Sequence, residues 1–321
     1  MLGLRVGSYT TSYGFILNTF RHYDPADPAQ LALVELRLPR LLLALLAGAS
    51  LAVSGYLLQT LVTNSLADPY LLGTASGASL GAIASYVLVP SLTLAGVYLP
   101  PVAALAGAFG ATVLVVALGT RQGKVLPAPL LLAGVAVGAV GALAAAVGSL
   151  LTFLAAPEGS LRSVVFWAFG SFERAGWSVL PWPAAVLGSS LVVLAFLQKD
   201  LNLLLLGEER AAALGLPVAA RRWLLVGLAA ALTGGVVALC GPVGFVGLLV
   251  PHLTRGLLGT TGRYNLLGCA VLGGAFLLAC DLLARGLYPP AGLPVGLVTA
   301  LFGVPFFVYL LRRKGLGNLG S

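Results

Sequence analysis

Few side chains in this sequence have the types and spacing that chemistry requires. The three cysteines, Cys240, Cys269 and Cys280, lie in apolar segments without metal-ligand spacing, and an odd number of cysteines describes no disulfide framework. The two histidines, His22 and His252, have no cluster of cysteines or carboxylates beside them. No Gly-x-x-x-x-Gly-Lys-Ser/Thr motif is present to hold nucleotide phosphates. The sequence therefore predicts no catalytic residues, no metal site and no cofactor bound by this chain.

The remaining candidates are charged residues within or beside apolar segments. A charge inside a membrane costs free energy and therefore usually serves a function. Asp281 and Arg285 are four residues apart, so on a helix they could form an ion pair on one face. The alternative is that they merely lie at the membrane interface. Asp68 precedes Pro69, a pair that favours a turn and could cap the helix that follows.

The elements that must position these residues are membrane-spanning helices. Hydrophobic residues make up 59% of the 321 residues, charged residues only 9%, and the mean hydropathy is +1.01, whereas soluble chains carry about 25% charged residues. About 20 apolar residues cross the hydrocarbon as a helix. On this basis the predicted fold class is an all-α, polytopic membrane helical bundle with spans at residues 40–61, 71–89, 100–118, 130–153, 179–197, 222–240, 243–258, 265–284 and 294–311.

Basic residues predict the orientation of this bundle. With the 119–129 loop in the cytoplasm, 11 of the 18 Lys and Arg residues lie inside and seven outside, as the positive-inside rule requires. The net charge of +8 therefore reflects membrane orientation, and we expect contact with membrane lipid and no nucleic acid partner. The outside residues, which need a separate explanation, are Arg5, Arg21, Arg37, Arg40, Arg162, Arg174 and Arg285.

An internal repeat is visible in the sequence. Residues 48–55, GASLAVSG, resemble residues 227–234, GLAAALTG, and each copy is followed by a short polar or Gly/Pro break and another apolar run. The two copies enter the membrane from opposite sides in the predicted topology. Inverted repeats of this kind are typical of transporters, whose pathway lies at the repeat interface.

A series of ordered motifs resembles the FecCD-type permeases, the large-fold membrane subunits of ABC importers for ferric siderophores, haem and vitamin B12. The resemblance extends over residues 31–311. Its motifs are RLPR at 37–40, Gln59, Asn64, LADP at 66–69, LG at 72–73, LLAGV at 131–135, LGEE at 206–209, LGLP at 214–217, GFVGLLVPH at 244–252, DLLAR at 281–285 and LPVG at 293–296.

The resemblance implies a set of partners. A permease of this family forms a homodimer in the bacterial cytoplasmic (inner) membrane and binds two ATPase subunits at its cytoplasmic face, which hold ATP and Mg. A periplasmic or lipid-anchored substrate-binding protein delivers the ligand at the outer face. The implied function is inward movement of an iron chelate (siderophore or haem) or a cobalamin-type ligand, powered by the partner ATPase.

The same resemblance assigns roles to particular residues. The predicted topology places Arg37 and Arg40 on the outer face, and the resemblance adds Arg285 to the same surface, where they would dock the binding protein through its carboxylates. The alternative is that these arginines only anchor helix ends at lipid headgroups. The polar residues that some relatives carry at the inner gate are replaced here by Pro127 and Ala128. The loop 207–217, predicted to be a short surface helix bounded by Gly and Pro, would be the coupling helix that fits a groove on the ATPase, with Gly207, Glu208, Glu209, Arg210, Gly215, Leu216 and Pro217 as its residues. An ordinary solvated loop is the alternative.

One departure from the family concerns the N-terminus. The family has ten spans, and the first has no counterpart here, because residues 1–30 are too polar to cross the membrane. We therefore expect an external N-terminal segment at 1–35, a transmembrane permease domain at 36–314 and a cytoplasmic tail at 315–321. The external segment is expected if the absence of the first span is real; the alternatives are that Met1 is a late start or that the sequence is a shortened chain.

Two other classes of protein compete with this interpretation. An ion-coupled secondary transporter should have acidic or polar residues at mid-membrane, and only Asp281, near a helix end, qualifies. A structural or assembly role would not explain why a short cytoplasmic helix occurs together with arginines on the outer side.

Overall fold

The computed structural model describes residues 12–88, 93–94, 97–121, 124–125, 127–155, 166–261, 264–289 and 292–315. Residues 1–11 of the predicted N-terminal segment and 316–321 of the predicted tail lie outside these ranges. The helices are α1 (Tyr13–Arg21), α2 (Pro28–Leu31), α3 (Leu38–Val62), α4 (Thr74–Leu88), α5 (Leu99–Gly119), α6 (Pro127–Ala155), α7 (Pro181–Phe196), α8 (Gln198–Leu204), α9 (Glu208–Ala213), α10 (Val218–Cys240), α11 (Val246–Leu258), α12 (Asn265–Leu287) and α13 (Val295–Gly315).

Smaller elements connect these helices. A π-helical segment, Ala32–Arg37, joins α2 to α3, and a 3₁₀ turn, Pro69–Leu72, precedes α4. Two antiparallel hairpins flank α5: β1 (Thr93–Leu94) pairs with β2 (Val97–Tyr98), and β3 (Thr120–Arg121) pairs with β4 (Lys124–Val125). With strands of only two residues each, the molecule is an all-α helical bundle, as predicted.

Each predicted span coincides with a helix, namely α3 to α7 and α10 to α13. Within the described residues, five helices are long and apolar enough to cross a membrane, and a sixth qualifies if α7 and α8, which meet at 72°, form one bent span. Both α11 and the apolar part of α13 are shorter. Only some of the predicted spans therefore correspond to helices that are long enough to cross the membrane fully.

The N-terminal region is more closely joined to the bundle than the sequence predicts. Residues Pro28–Val62 form one continuous 35-residue helical segment, and Asp27 caps its start by accepting a hydrogen bond from the Ala29 amide at 2.9 Å. Ile16 of α1 is fully buried and packs with Leu33 and Leu41. The domain boundary predicted after residue 35 therefore falls inside a helical segment.

Helix α3 lies at the centre of the bundle, since every residue from Ala47 to Val62 is buried. Glycines allow its neighbours to approach closely. A Cβ added to Gly48 would lie 2.1 Å from the Gly273 carbonyl oxygen, and one added to Gly55 would lie 1.9 Å from that of Gly247. Small residues serve this purpose in membranes, where lipid supplies no hydrophobic drive between helices.

The two copies of the sequence repeat pack against each other. Ser54 of α3 and Thr233 of α10 occupy equivalent positions in the repeat, and their hydroxyl oxygens are 2.7 Å apart. The Ser54 hydroxyl also donates to the Ala229 carbonyl at 2.9 Å. Equivalent residues of the two sequence copies thus meet where α3 and α10 pack together.

A break separates α10 from α11. Gly241 (φ 72°) and Phe245 (φ 69°) both have left-handed backbone conformations, with Pro242 between them. The Tyr70 hydroxyl supports this break by accepting from the Val243 amide at 2.7 Å and donating to the Val243 carbonyl at 2.9 Å. Non-helical backbone inside a membrane bundle needs such partners because no water is available to it.

Candidate functional site

The candidate residues lie at two opposite ends of the bundle. Helices α3 and α12 are antiparallel, because Arg40 contacts Asp281 and Gly48 approaches Gly273. The end of α10 lies at the same end of the bundle as the start of α3. Three main-chain hydrogen bonds establish this, from the Ser171 amide to the Cys240 carbonyl (2.8 Å), from Val295 to Gly170 (2.9 Å) and from Leu293 to Ala284 (2.9 Å).

The start of α10, with α9 before it, therefore lies at the other end. Helix α10 has 23 residues, a length of about 35 Å at 1.5 Å per residue. That distance matches the roughly 30 Å of a bilayer's hydrocarbon core. We call these two ends the arginine end and the α9 end.

At the arginine end, Asp281 is the centre of an ion-pair cluster. Arg40 donates to its Oδ1 atom from Nη2 at 2.8 Å and from Nε at 3.0 Å. The Nη2 atom of Arg285 lies 3.0 Å from Oδ2. The Asp281 side chain is fully buried, whereas 20% of Arg40 and 9% of Arg285 are exposed. The ion pair predicted from the spacing of Asp281 and Arg285 is present, and Arg40 joins it.

Three arginine side chains lie together at this cluster. Two guanidinium groups share one carboxylate, and Arg37 lies close enough to Arg285 for their like charges to repel each other. Buried charges are stabilised only by partners of opposite sign. The structure thus brings together Arg37, Arg40 and Arg285, as the docking hypothesis requires, and it shows that Arg40 and Arg285 share Asp281 as an internal partner.

At the α9 end, the predicted short helix is present as Glu208–Ala213. Gly207 (φ 96°) and Gly215 (φ 85°) bound it with backbone conformations that L side chains rarely adopt. Ala211 is fully buried and Leu216 is 8% exposed, so these two side chains attach the helix to the bundle. The opposite side of the helix is free to meet another protein.

One ion pair joins α9 to the start of α10, and a second joins α8 to it. The Nη1 atom of Arg222 lies 3.0 Å from Oε2 of Glu208, and Nε of Arg221 lies 2.6 Å from Oδ2 of Asp200. In the part of the chain that the structure describes, Glu209 and Arg210 make no ion pair. The exposed surface of the 207–217 segment comprises Glu208, Glu209, Arg210, Ala212, Ala213, Leu214, Gly215 and Pro217.

The two residues predicted for the inner gate lie at the start of α6. Pro127 is the first residue of that helix, and Ala128, next to it, is exposed. The Pro127 side chain lies outside the described part of the chain.

A polar cluster inside the bundle was not predicted from the sequence. Arg255 donates to Oε1 of Gln59 and lies over the ring of Tyr56, 5.1 Å from its centroid. The Nε2 group of Gln59 donates to the Gly247 and Leu248 carbonyls at 3.2 and 3.3 Å. Gln59 therefore connects α3 to the Gly247 and Leu248 carbonyls at the start of α11 and to the half-buried Arg255. The signal was present, since Gln59 belongs to a motif and Arg255 to an apolar run, but nothing in the sequence pairs them.

No group of three His, Cys, Asp or Glu residues that could hold a metal ion occurs among the described residues. Together, the described helices define a multi-pass helical membrane protein. The family model described as the FecCD transport family matches residues 1–313, and the chain belongs to this family.

Characterised relatives agree with this assignment. The cobalamin import system permease protein BtuC of Halobacterium salinarum is 40% identical over 90% of this chain and 75% of its own length. The hemin transport system permease protein HmuU of Yersinia pestis is 42% identical over 88% of this chain and 83% of its own. A solved structure, described as an inward-facing conformation of a putative metal-chelate type ABC transporter, superposes with a TM-score of 0.81 at 32% identity, covering 97% of this chain and 94% of that one.

Proposed function

We propose that this chain is the membrane-spanning permease subunit of an ABC importer that moves an iron chelate (siderophore or haem) or a cobalamin-type ligand into the cell. The observation that carries the proposal is that one membrane bundle presents a basic cluster at one end and an exposed, glycine-bounded helix at the other. The cobalamin and hemin permeases and the metal-chelate type transporter that resemble this chain support that range of cargo.

In this proposal the chain forms a homodimer in the bacterial cytoplasmic (inner) membrane, with the arginine end outward. Two ATPase subunits bind ATP and Mg and receive α9 at the cytoplasmic face. Ala211 and Leu216 hold α9 rigidly on the bundle, so that movement of the ATPase passes to α10. Pro127 and Ala128, at the start of α6, form the inner gate region.

At the outer end, a periplasmic or lipid-anchored capture protein docks on Arg37, Arg40 and Arg285. Its acidic residues would pair with these guanidinium groups, which bind carboxylates in a planar, two-pronged geometry. Arg40, with more exposed surface than Arg285, would meet the carboxylate first.

Charge reversal at Arg37 tests the docking step. Reversal of Arg40 or Arg285 would set like charges against buried Asp281 and disturb the fold, so Arg37→Glu is the cleaner change. We expect capture-protein binding to weaken about tenfold at low salt, and less at high salt, because like charges at an interface are costly and salt screens them. The measurement is the Kd across ionic strengths.

Arg21→Glu, the same reversal at an exposed site on α1 outside the cluster, is the matched control and should have a smaller effect. If Arg37→Glu binds the capture protein with unchanged Kd and unchanged salt dependence while inserting normally, the docking assignment is wrong.

A further inference from the structure

A large apolar cavity of about 790 Å³ opens at the arginine end, and none of the residues that line it belongs to the ion-pair cluster. Its walls come from the first turns of α5 and from the segment that leads into α7, and its floor is the last two turns of α10. Val102 and Leu105 line one side, and Val179 and Leu239 line others. The volume falls within the roughly 300–1,000 Å³ typical of small-molecule sites.

Small residues of α10 create this space. Gly235 and Ala238 form the floor, and a Cβ added to Gly235 would lie 3.2 Å from Nε1 of Trp182. A larger side chain at position 235 would therefore fill the cavity beneath the indole. Because these residues belong to the final two turns of a membrane-spanning helix, the cavity extends about 11 Å along the helix axis from its end, within reach of lipid.

The rim of the cavity is polar. Arg174 and Ser178 are exposed residues of the segment before α7, and 52% of Trp182 is exposed. No hydrogen bond among the described residues involves the Trp182 indole N–H. A tryptophan beside an arginine at a helix end is the arrangement found at the level of lipid headgroups. Both types of side chain are hydrogen-bond donors.

We propose that this cavity binds the acyl chain of one phospholipid, with its phosphate held by Arg174 and the Trp182 indole N–H. The apolar walls match an acyl chain, and guanidinium is suited to bidentate contact with phosphate. The acyl chain would fill the space that separates α5 from α7. The site is distinct from the docking, coupling and gate residues.

Native mass spectrometry of the purified protein, reconstituted with phosphatidylglycerol as the probe and then washed with detergent, tests the proposal. We expect one phosphatidylglycerol to remain bound per unmodified chain. Gly235→Leu should lose it, since the new side chain occupies the cavity. Gly227→Leu is the matched control on the same helix, because Gly227 faces open space. This variant should keep the lipid.

A second variant separates headgroup binding from any folding defect. Arg174→Gln leaves the cavity open and should retain phosphatidylglycerol about tenfold less well, because the charged contact between guanidinium and phosphate is lost. Arg174→Lys should retain it better than Arg174→Gln. Lipid retention by Gly235→Leu or Arg174→Gln equal to that of the unmodified chain would overturn the proposal. A changed ratio of dimer to monomer in Gly235→Leu with the lipid count unaltered would also overturn it, because a second copy of the chain would then occupy the cavity.

Discussion

At the scale of single residues, Asp281 carries the most consequence. Its carboxylate has no exposed surface and is held by Arg40 and Arg285. Removing one partner from a buried ion pair leaves an uncompensated charge, which is far more costly than losing an exposed pair. The same residue therefore links the stability of the bundle to the charge of its outer surface.

Asp281→Asn should lower the free energy of unfolding by about 3–5 kcal/mol, because two guanidinium groups would lose their shared carboxylate. Asp200→Asn makes the same substitution in a more exposed ion pair with Arg221 and should cost only about 0–1 kcal/mol. Thermal unfolding of both variants in detergent measures the difference. Equal losses of stability would contradict the central position of Asp281 in the cluster.

At the scale of elements, close approach of helices holds α3 in the centre of the bundle. Gly55→Ala should destabilise the protein by about 1–3 kcal/mol, because the added methyl group would overlap the Gly247 backbone. Gly227→Ala, where a Cβ meets nothing within 4 Å, should be neutral or slightly stabilising. Unfolding temperatures of the two variants report the result. A tolerated Gly55→Ala would show that the helices separate without cost.

The coupling role of α9 gives a second prediction at this scale. Leu214 is 63% exposed at the end of α9, so its apolar side chain should become buried on the ATPase. Leu214→Ala should weaken ATPase binding about tenfold without changing the unfolding temperature. Leu214→Met keeps the apolar volume and should bind nearly as the unmodified chain does. Unchanged binding and unchanged capture-protein stimulation of ATP hydrolysis in Leu214→Ala would refute the docking of this helix.

At the scale of the whole molecule, the two helices that carry the repeated motif, α3 and α10, touch at Ser54 and Thr233. Each of these helices is followed by a break in the helical backbone. One copy leads to the 3₁₀ turn before α4, and the other leads to the break before α11. The Tyr70 hydroxyl of the first break binds the Val243 backbone of the second. The arginine end and the α9 end are therefore joined through a core in which the two halves hold each other.

Sequence reasoning located most of this architecture, because a hydrophobic span of fixed length is a strong local signal. The short helix α9 could also be predicted from a local signal, because Gly207 and Gly215 mark its ends. By contrast, Arg40 and Asp281 are 241 residues apart, and no local pattern relates them.

The early start of the first helical segment was missed for a different reason. Polar residues such as Gln30 and Glu35 hid a helix whose Asp27 cap and Pro28 were visible. The cavity beside Trp182 could not be predicted either, because it arises from the distance between helices.

Transport in proteoliposomes tests the central claim most directly. The chain, with the ATPase that copurifies with it, is reconstituted with ATP in the lumen, and the capture protein is added outside with haem, a ferric siderophore or cobalamin. We predict that one of these ligands accumulates in the lumen only when ATP and capture protein are both present, and that the chain alone hydrolyses no ATP. Accumulation driven by a Na⁺ or H⁺ gradient without ATP, or ATP turnover by the chain alone, would contradict the account.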